Sequence, residues 1–184
     1  LSGRKTWETI CNDIQHRSIK STPLTVTKVS ELRTQIFKCL NNARDERVLR
    51  TELKEIYKLL KLTSDKGKTA IFGGERNFKR TREVPHFERT DGCWFDFSIL
   101  IDETLKPAEI IGFDFEIRFP EESQVRFLRF DLNLPDHNNE ERGMRFHVHP
   151  GSDDFMIHSP PVSPLEILHL FLYDLPIPAK PRSS

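Results

Sequence analysis

The sequence predicts an α+β fold, with N-terminal helices followed by a mainly antiparallel β-meander of four to five strands and a C-terminal helix. Three observations predict it. Apolar residues recur at helical spacing through the first third of the chain, strict alternation begins at Trp94, and a helix-capping signature appears at Ser163. A chain of 184 residues suits one domain, 1–184, because domains commonly hold roughly 100–200 residues. Within it, 1–62 reads as a helical basic part, 69–150 as an antiparallel sheet, 163–174 as the C-terminal helix and 176–184 as a Pro-rich tail.

In the first helix Thr6 is placed to cap a stripe of Trp7, Ile10, Cys11 and Ile14, ending near Ile19 before Ser21-Thr22-Pro23. Ser30 is the expected cap of a second, with Leu32, Ile36, Phe37, Leu40 and Ala43 on its apolar side. Past Asn41-Asn42 a further stripe runs through Leu49, Leu53, Ile56, Tyr57 and Leu60, so residues 30–62 form one helix or two. The polar face of this stretch carries Lys38, Arg44, Arg47, Arg50, Lys54, Lys58 and Lys61, partly balanced by Asp45, Glu46, Glu52 and Glu55. Arg44, Arg47 and Arg50 are candidate nucleic-acid contacts on what is otherwise a solvated face.

Ser64-Asp65-Lys66-Gly67 reads as a turn, and Thr69 to Phe72 as a short strand interrupted by Gly73-Gly74. That glycine pair lacks the GxxxxGK[ST] frame of a phosphate loop. Between Arg76 and Glu88, Arg76, Lys79, Arg80 and Arg82 interleave with Phe78, His86 and Phe87. The pattern suits a loop touching phosphates, or an ordinary solvated loop.

The strands follow from period-two alternation. Phe95, Phe97, Ile99 and Ile101 take one face of the first, with Asp96 and Ser98 on the other; Ile111, Phe113, Phe115, Ile117 and Phe119 oppose Asp114, Glu116 and Arg118 in the second. In the third, Leu128, Phe130, Leu132 and Leu134 are core-facing, opposite Arg129, Asp131 and Asn133. In the fourth, Met144, Phe146 and Val148 are core-facing, opposite Arg145, His147 and His149. Short polar linkers make successive strands neighbours. Ser163, Pro164 and Glu166 then form a capping-box sequence for the last helix.

If the apolar parities share one core, the opposite parities form one polar surface. Folding the hairpins about their linkers brings Asp131 near His147, Arg129 near His149, Glu116 near Arg129 and Asp96 near Glu116. Five of the seven histidines lie between His137 and His169. Imidazole beside carboxylate suits acid and base work near neutral pH, so His147, His149, Asp131, Arg129, Arg145 and His137 are the candidate catalytic residues. The surface also has a bland alternative, a wet face with paired charges. No cofactor is expected. If a metal binds, His147 and His149 have the i, i+2 spacing for it, with Asp131, His137, Asp153 or Asp154 as further ligands. There is no GxSxG nucleophile elbow, Cys93 has no assigned base, and Ser98 reads as a spacer.

Zero net charge conceals an asymmetry: residues 1–90 carry 20 Lys and Arg against 11 Asp and Glu, and residues 91–184 carry 8 against 17. Two parts of one fold attracting each other explain it, or a basic surface for nucleic acid. No run approaches the ~18 apolar residues of a membrane span, and LSGRKTWETI has no apolar signal core. Cys11, Cys39 and Cys93 match neither a disulfide framework nor a metal spacing, so a cytoplasmic setting without membrane contact is expected.

Arg129-Phe130-Asp131, a polar loop with His137, then His147-Val148-His149-Pro150, a Pro-rich segment and a short helix resemble the TumE-like toxins of bacterial toxin-antitoxin pairs. The resemblance covers about the last 90 residues. It implies a growth-inhibiting toxin directed at RNA and neutralised by an antitoxin partner, with interest on Arg129, Asp131, His137, His147 and His149. The 90 or so residues before it are extra to that pattern. Metal-independent RNA cleavage would divide acid and base roles between His147 and His149, with Arg129 or Arg145 on phosphate and Asp131 fixing a tautomer. A noncatalytic nucleic-acid- or protein-binding module of a toxin-antitoxin or defence system is the alternative. A third comparison is the JAMM zinc hydrolase pattern, which His147-Val148-His149-Pro150 resembles, with Ser163-Pro164-Leu165-Glu166 in place of its SxxD.

Overall fold

A computed structural model describes residues 9–10, 23–137 and 144–176. The helix expected over 7–19 and the tail over 177–184 lie outside them, save that Thr9 and Ile10 are helical. The elements are β1 (Thr25–Val26), α1 (Val29–Asp45), α2 (Leu53–Leu59), β2 (Leu60–Asp65), β3 (Lys68–Gly73), β4 (Phe87–Glu88), β5 (Trp94–Asp102), β6 (Ala108–Arg118), β7 (Phe127–Leu132), β8 (Phe146–Pro150), β9 (Ile157–His158) and α3 (Pro164–His169), the last running into a π-helical turn at Leu170–Asp174. The class is α+β. Every strand pair among the described residues is antiparallel, in the order β2-β3-β5-β6-β7-β8-β9, with β1 added to β6 and β4 to β5. The sheet is therefore longer than four or five strands: β1, β4 and β9 have only two residues each and show no period, and β2 falls on residues read as helix and turn.

Residues 30–62 form two helices and a strand. α1 buries Leu32, Ile36, Leu40 and Ala43 of the expected stripe and adds Val29, while Phe37 is half-buried, and Lys28 rather than Ser30 occupies its N-cap position. Arg47 leaves α1 in the left-handed region, at φ 61°, and the Val48 and Leu49 amides both donate to the Ala43 carbonyl. The linker then joins the sheet side, with Arg50 N donating to Glu88 O and Thr90 N to Val48 O. Leu60, Lys61 and Leu62, expected in the helix, and Ser64 and Asp65, expected in the turn, belong to β2. Lys66 and Gly67, both at positive φ, make the two-residue turn that folds β2 onto β3 with full backbone pairing.

One face of the sheet buries Phe95, Phe97, Ile99 and Ile101 of β5 and Phe113, Phe115 and Ile117 of β6 in a core shared with α1, α3 and the π turn. Phe97 and Phe115, directly paired across β5 and β6, stack at 4.7 Å between centroids, and Phe171 meets Phe95 and Phe115 edge-on. Ser163 caps α3 with the full capping box expected of Ser163 and Glu166.

Three core assignments differ. The β5–β6 register passes from Leu100↔Gly112 to Ile101↔Ile110, leaving Ile111 as a bulge. One extra residue reverses the parity, so Ile110 and Ala108 are buried where alternation predicted Ile111. Leu134 lies past the end of β7 and is 46% exposed, and Met144 precedes β8 and is half-buried. No helix among the described residues is long and apolar enough to cross a membrane.

Gly73 ends β3 opposite Phe97, and a Cβ there would lie 2.1 Å from that ring. The pair is needed for close approach of ring to backbone. Gly73→Ala should lower stability by roughly 1–3 kcal/mol through overpacking, read as a fall in the urea midpoint. An unchanged midpoint would show that Phe97 can move aside.

Candidate active site

The polar parities meet as their alternation requires. The registers pair Asp131 with His147, Arg129 with His149, Glu116 with Arg129 and Asp96 with Glu116. The surface they share is covered rather than exposed: Asp96, Glu116, Arg118, His147 and His149 are all buried. The covering chain comes from two loops. Arg80, held at φ 53°, donates from Nε to Glu116 at 2.9 Å and from Nη2 to Asp153 at 2.7 Å, joining the loop before β4 to the loop after β8. Arg118 donates to Asn77 O at 3.2 Å and pairs with the carboxylate of Asp96. Between the sheet and these loops lies a cleft of about 830 Å³, lined by Asp114, Arg129, Asp131, His147 and His149 among others.

At its floor two imidazoles and a carboxylate converge. His147 Nδ1 donates to Met144 O at 2.9 Å, and His149 Nδ1 to Ser152 O at 3.3 Å. A carbonyl oxygen can only accept, so both rings carry a proton on Nδ1. The two Nε2 atoms then face each other at 3.1 Å, and Asp131 Oδ2 lies 3.4 Å from the first and 3.3 Å from the second. Three lone pairs would crowd one point, and the arrangement requires positive charge there, either an added proton on an imidazole or a cation. These three residues are the group of described side chains that could hold a metal.

Electrostatics sort the surrounding acids. Burial acts to raise the Asp131 carboxyl, but the hydrogen bonding that His147 and His149 offer once an Nε2 carries the added proton, and the charge of Arg129, whose Nε donates to Oδ2 at 2.9 Å, outweigh it and hold the group well below the usual carboxylate range. Asp96 behaves oppositely: burial pushes it up to about 6 against the pull of Arg118. Asp114 stands opposite Asp131 in the β6–β7 register; burial raises it despite the hydrogen bond that Ser98 Oγ donates at 2.6 Å. Asp153 is lowered by its hydrogen bond from Arg80.

The other candidate residues separate clearly. His137 is exposed and lines the same cleft. Arg145 faces away from the cluster, donating to Asn133 O at 3.1 Å and to Ile111 O at 3.2 Å, where it serves the carbonyl of the bulge. Of the basic segment, Arg76 lies 3.5 Å from Asp114 and Arg80 pairs with Glu116 and Asp153, so both arginines are spent on acids of the sheet side. Lys79 is exposed, and Arg82 shares Glu88 with Arg50. Arg44 pairs with Asp45, and Arg47 and Arg50 lie exposed in the linker after α1, outside the cleft lining. The charge asymmetry of the two halves is thus in part intramolecular attraction. Asp153, considered as a ligand, instead bridges Arg80 and Arg129. Cys93 is fully buried, and burial followed by the charge of Asp91 pushes its thiol up to about 12, which removes it as a nucleophile. Glu166, the acid of the JAMM-like correspondence, is committed to the α3 cap and is not in the cleft lining.

His158 stands opposite His147 across β8–β9, a pairing without a sequence signature because β9 is too short to show alternation. Comparison of the chain with protein-family models, curated proteins and solved structures finds no match.

Asp96 has a pH consequence. A carboxyl raised in the folded state binds its proton more tightly there than in the unfolded chain, so its contribution falls as pH rises from the ordinary carboxylate value to about 6. Asp96→Asn should flatten the decline in stability between about pH 4 and pH 6, measured by urea denaturation across that range. An unaltered slope would contradict the assignment.

Proposed function

We propose that the cleft is the active site of a toxin-like protein that cleaves phosphodiester bonds in RNA, with an antitoxin as partner. The observation that carries this reading is the convergence of His147 Nε2, His149 Nε2 and Asp131 Oδ2 beside Arg129 on the cleft floor. In such a reaction the ribose 2′-oxygen attacks phosphorus, its proton passes to a base, and the P–O5′ bond breaks as the 5′-oxygen gains a proton. A 2′,3′-cyclic phosphate and a 5′-hydroxyl result. Imidazole Nε2 is the atom available for those proton transfers, since Nδ1 is held by backbone on both rings. Arg129 is the guanidinium adjacent to the developing charge. Asp131 contributes charge rather than tautomer selection, which the Met144 and Ser152 carbonyls perform.

Wild-type protein expressed in a bacterial host should arrest growth and deplete intact RNA, and His147→Ala or His149→Ala should lower the cleavage rate by roughly 10²–10⁴-fold. Undamaged RNA with the wild type, or equal damage with the variants, would contradict it. The noncatalytic binding reading draws on another surface: Arg47 and Arg50 lie exposed in the linker after α1, outside the cleft lining. On that reading charge reversal at Arg44, Arg47 and Arg50 abolishes activity while the histidine variants retain it.

A further inference from the structure

We propose that Asp131, His147 and His149 bind a divalent first-row transition-metal ion, zinc or one of similar size, with its remaining coordination positions open to the cleft. The site goes beyond RNA cleavage and stands on its own geometry. A tetrahedral ion with bonds of about 2.05 Å separates its ligand atoms by about 3.3 Å. The three edges here are 3.1, 3.3 and 3.4 Å. The atoms are already spaced as one face of a coordination polyhedron.

Two further features fit a metal. Each ligating nitrogen is Nε2 with the other ring nitrogen donating to a backbone carbonyl, the outer-shell arrangement that fixes metal-binding imidazoles. Asp131 is likewise held from outside, by Arg129 Nε at 2.9 Å on the same oxygen, which has a second lone pair for the ion.

The ligand types set the class of ion. Calcium and magnesium take oxygen ligands almost alone, and calcium requires bonds of about 2.3–2.6 Å. Imidazole suits zinc, iron, nickel and copper. Two histidines and one carboxylate leave at least one position for water or substrate, as in catalytic rather than structural zinc sites. An ion there would supply a water of lowered pKa to whatever the cleft takes in.

The test is titration calorimetry of the untagged 184-residue chain with zinc chloride, accompanied by the visible absorption of the cobalt(II) form. One ion per chain is expected, with the strong visible bands of four-coordinate cobalt bearing nitrogen and oxygen ligands. His147→Ala, His149→Ala and Asp131→Asn should each weaken binding at least about tenfold, whereas His169→Ala, at an exposed histidine outside the cleft lining, should not change it. Wild-type protein that binds no stoichiometric ion overturns the proposal without reference to any variant, as does binding that survives all three cleft substitutions. RNA cleavage that persists in chelator, with no ion bound, removes the metal and keeps the RNA reading; an ion bound with RNA left intact does the reverse.

Discussion

Two backbone carbonyls decide what the centre of this protein can be. Met144 O and Ser152 O each take the Nδ1 proton of a histidine and so turn both Nε2 atoms inward, onto one another and onto Asp131. Neither carbonyl would be in place without the strand that separates the two rings. In β8, His147 and His149 share a face because they are two apart, and the chain bends at both ends of the strand to bring residues 144 and 152 back beside the rings. The result is a cluster whose lone pairs need positive charge and whose proton donors are already occupied.

The rest of the sheet makes that cluster sustainable in a buried place. Burying ionised groups is costly unless each finds a partner. Here the acids of β5, β6 and β7 are met from above by arginines of the loop before β4 and from within by Arg118 and Arg129. Arg80 reaches two acids from different elements and stacks on the Phe127 ring at 3.7 Å, so it ties the cover to the floor as well as balancing charge. The opposite side of the same strands carries the stacked phenylalanines that hold α1 and α3. One alternation thus makes an aromatic core on one face and a charged cleft on the other.

Much of this was legible because β5 to β8 are long or strongly patterned and their linkers are short. Alternation alone predicted which residues face each other, and the pairings Asp131 with His147 and Arg129 with His149 follow from it. What alternation could not show is an irregularity: the bulge at Ile111 reverses the first residues of β6, and Arg145, counted with the polar face by parity, is instead drawn to the bulge's carbonyl. Nor could it show burial of the polar face, since cover depends on where residues 74–86 and 151–156 travel. The helix-to-strand change at Leu60 was hidden because Leu53, Ile56 and Leu60 fit a helical stripe as well as they fit the real helix and its first strand residue. Orientation of the imidazoles depends on backbone carbonyls, which no side-chain pattern encodes.

Both histidines present Nε2 to Asp131, and imidazole tautomers can be measured directly. Long-range proton-nitrogen correlation spectra of the ¹⁵N-histidine-labelled protein should show His147 and His149 protonated at Nδ1, with spectra of His147→Ala and His149→Ala assigning the signals. A ring whose single proton sits on Nε2, at either position, would contradict the inward-facing Nε2 pair on which the site, its chemistry and its ligand depend.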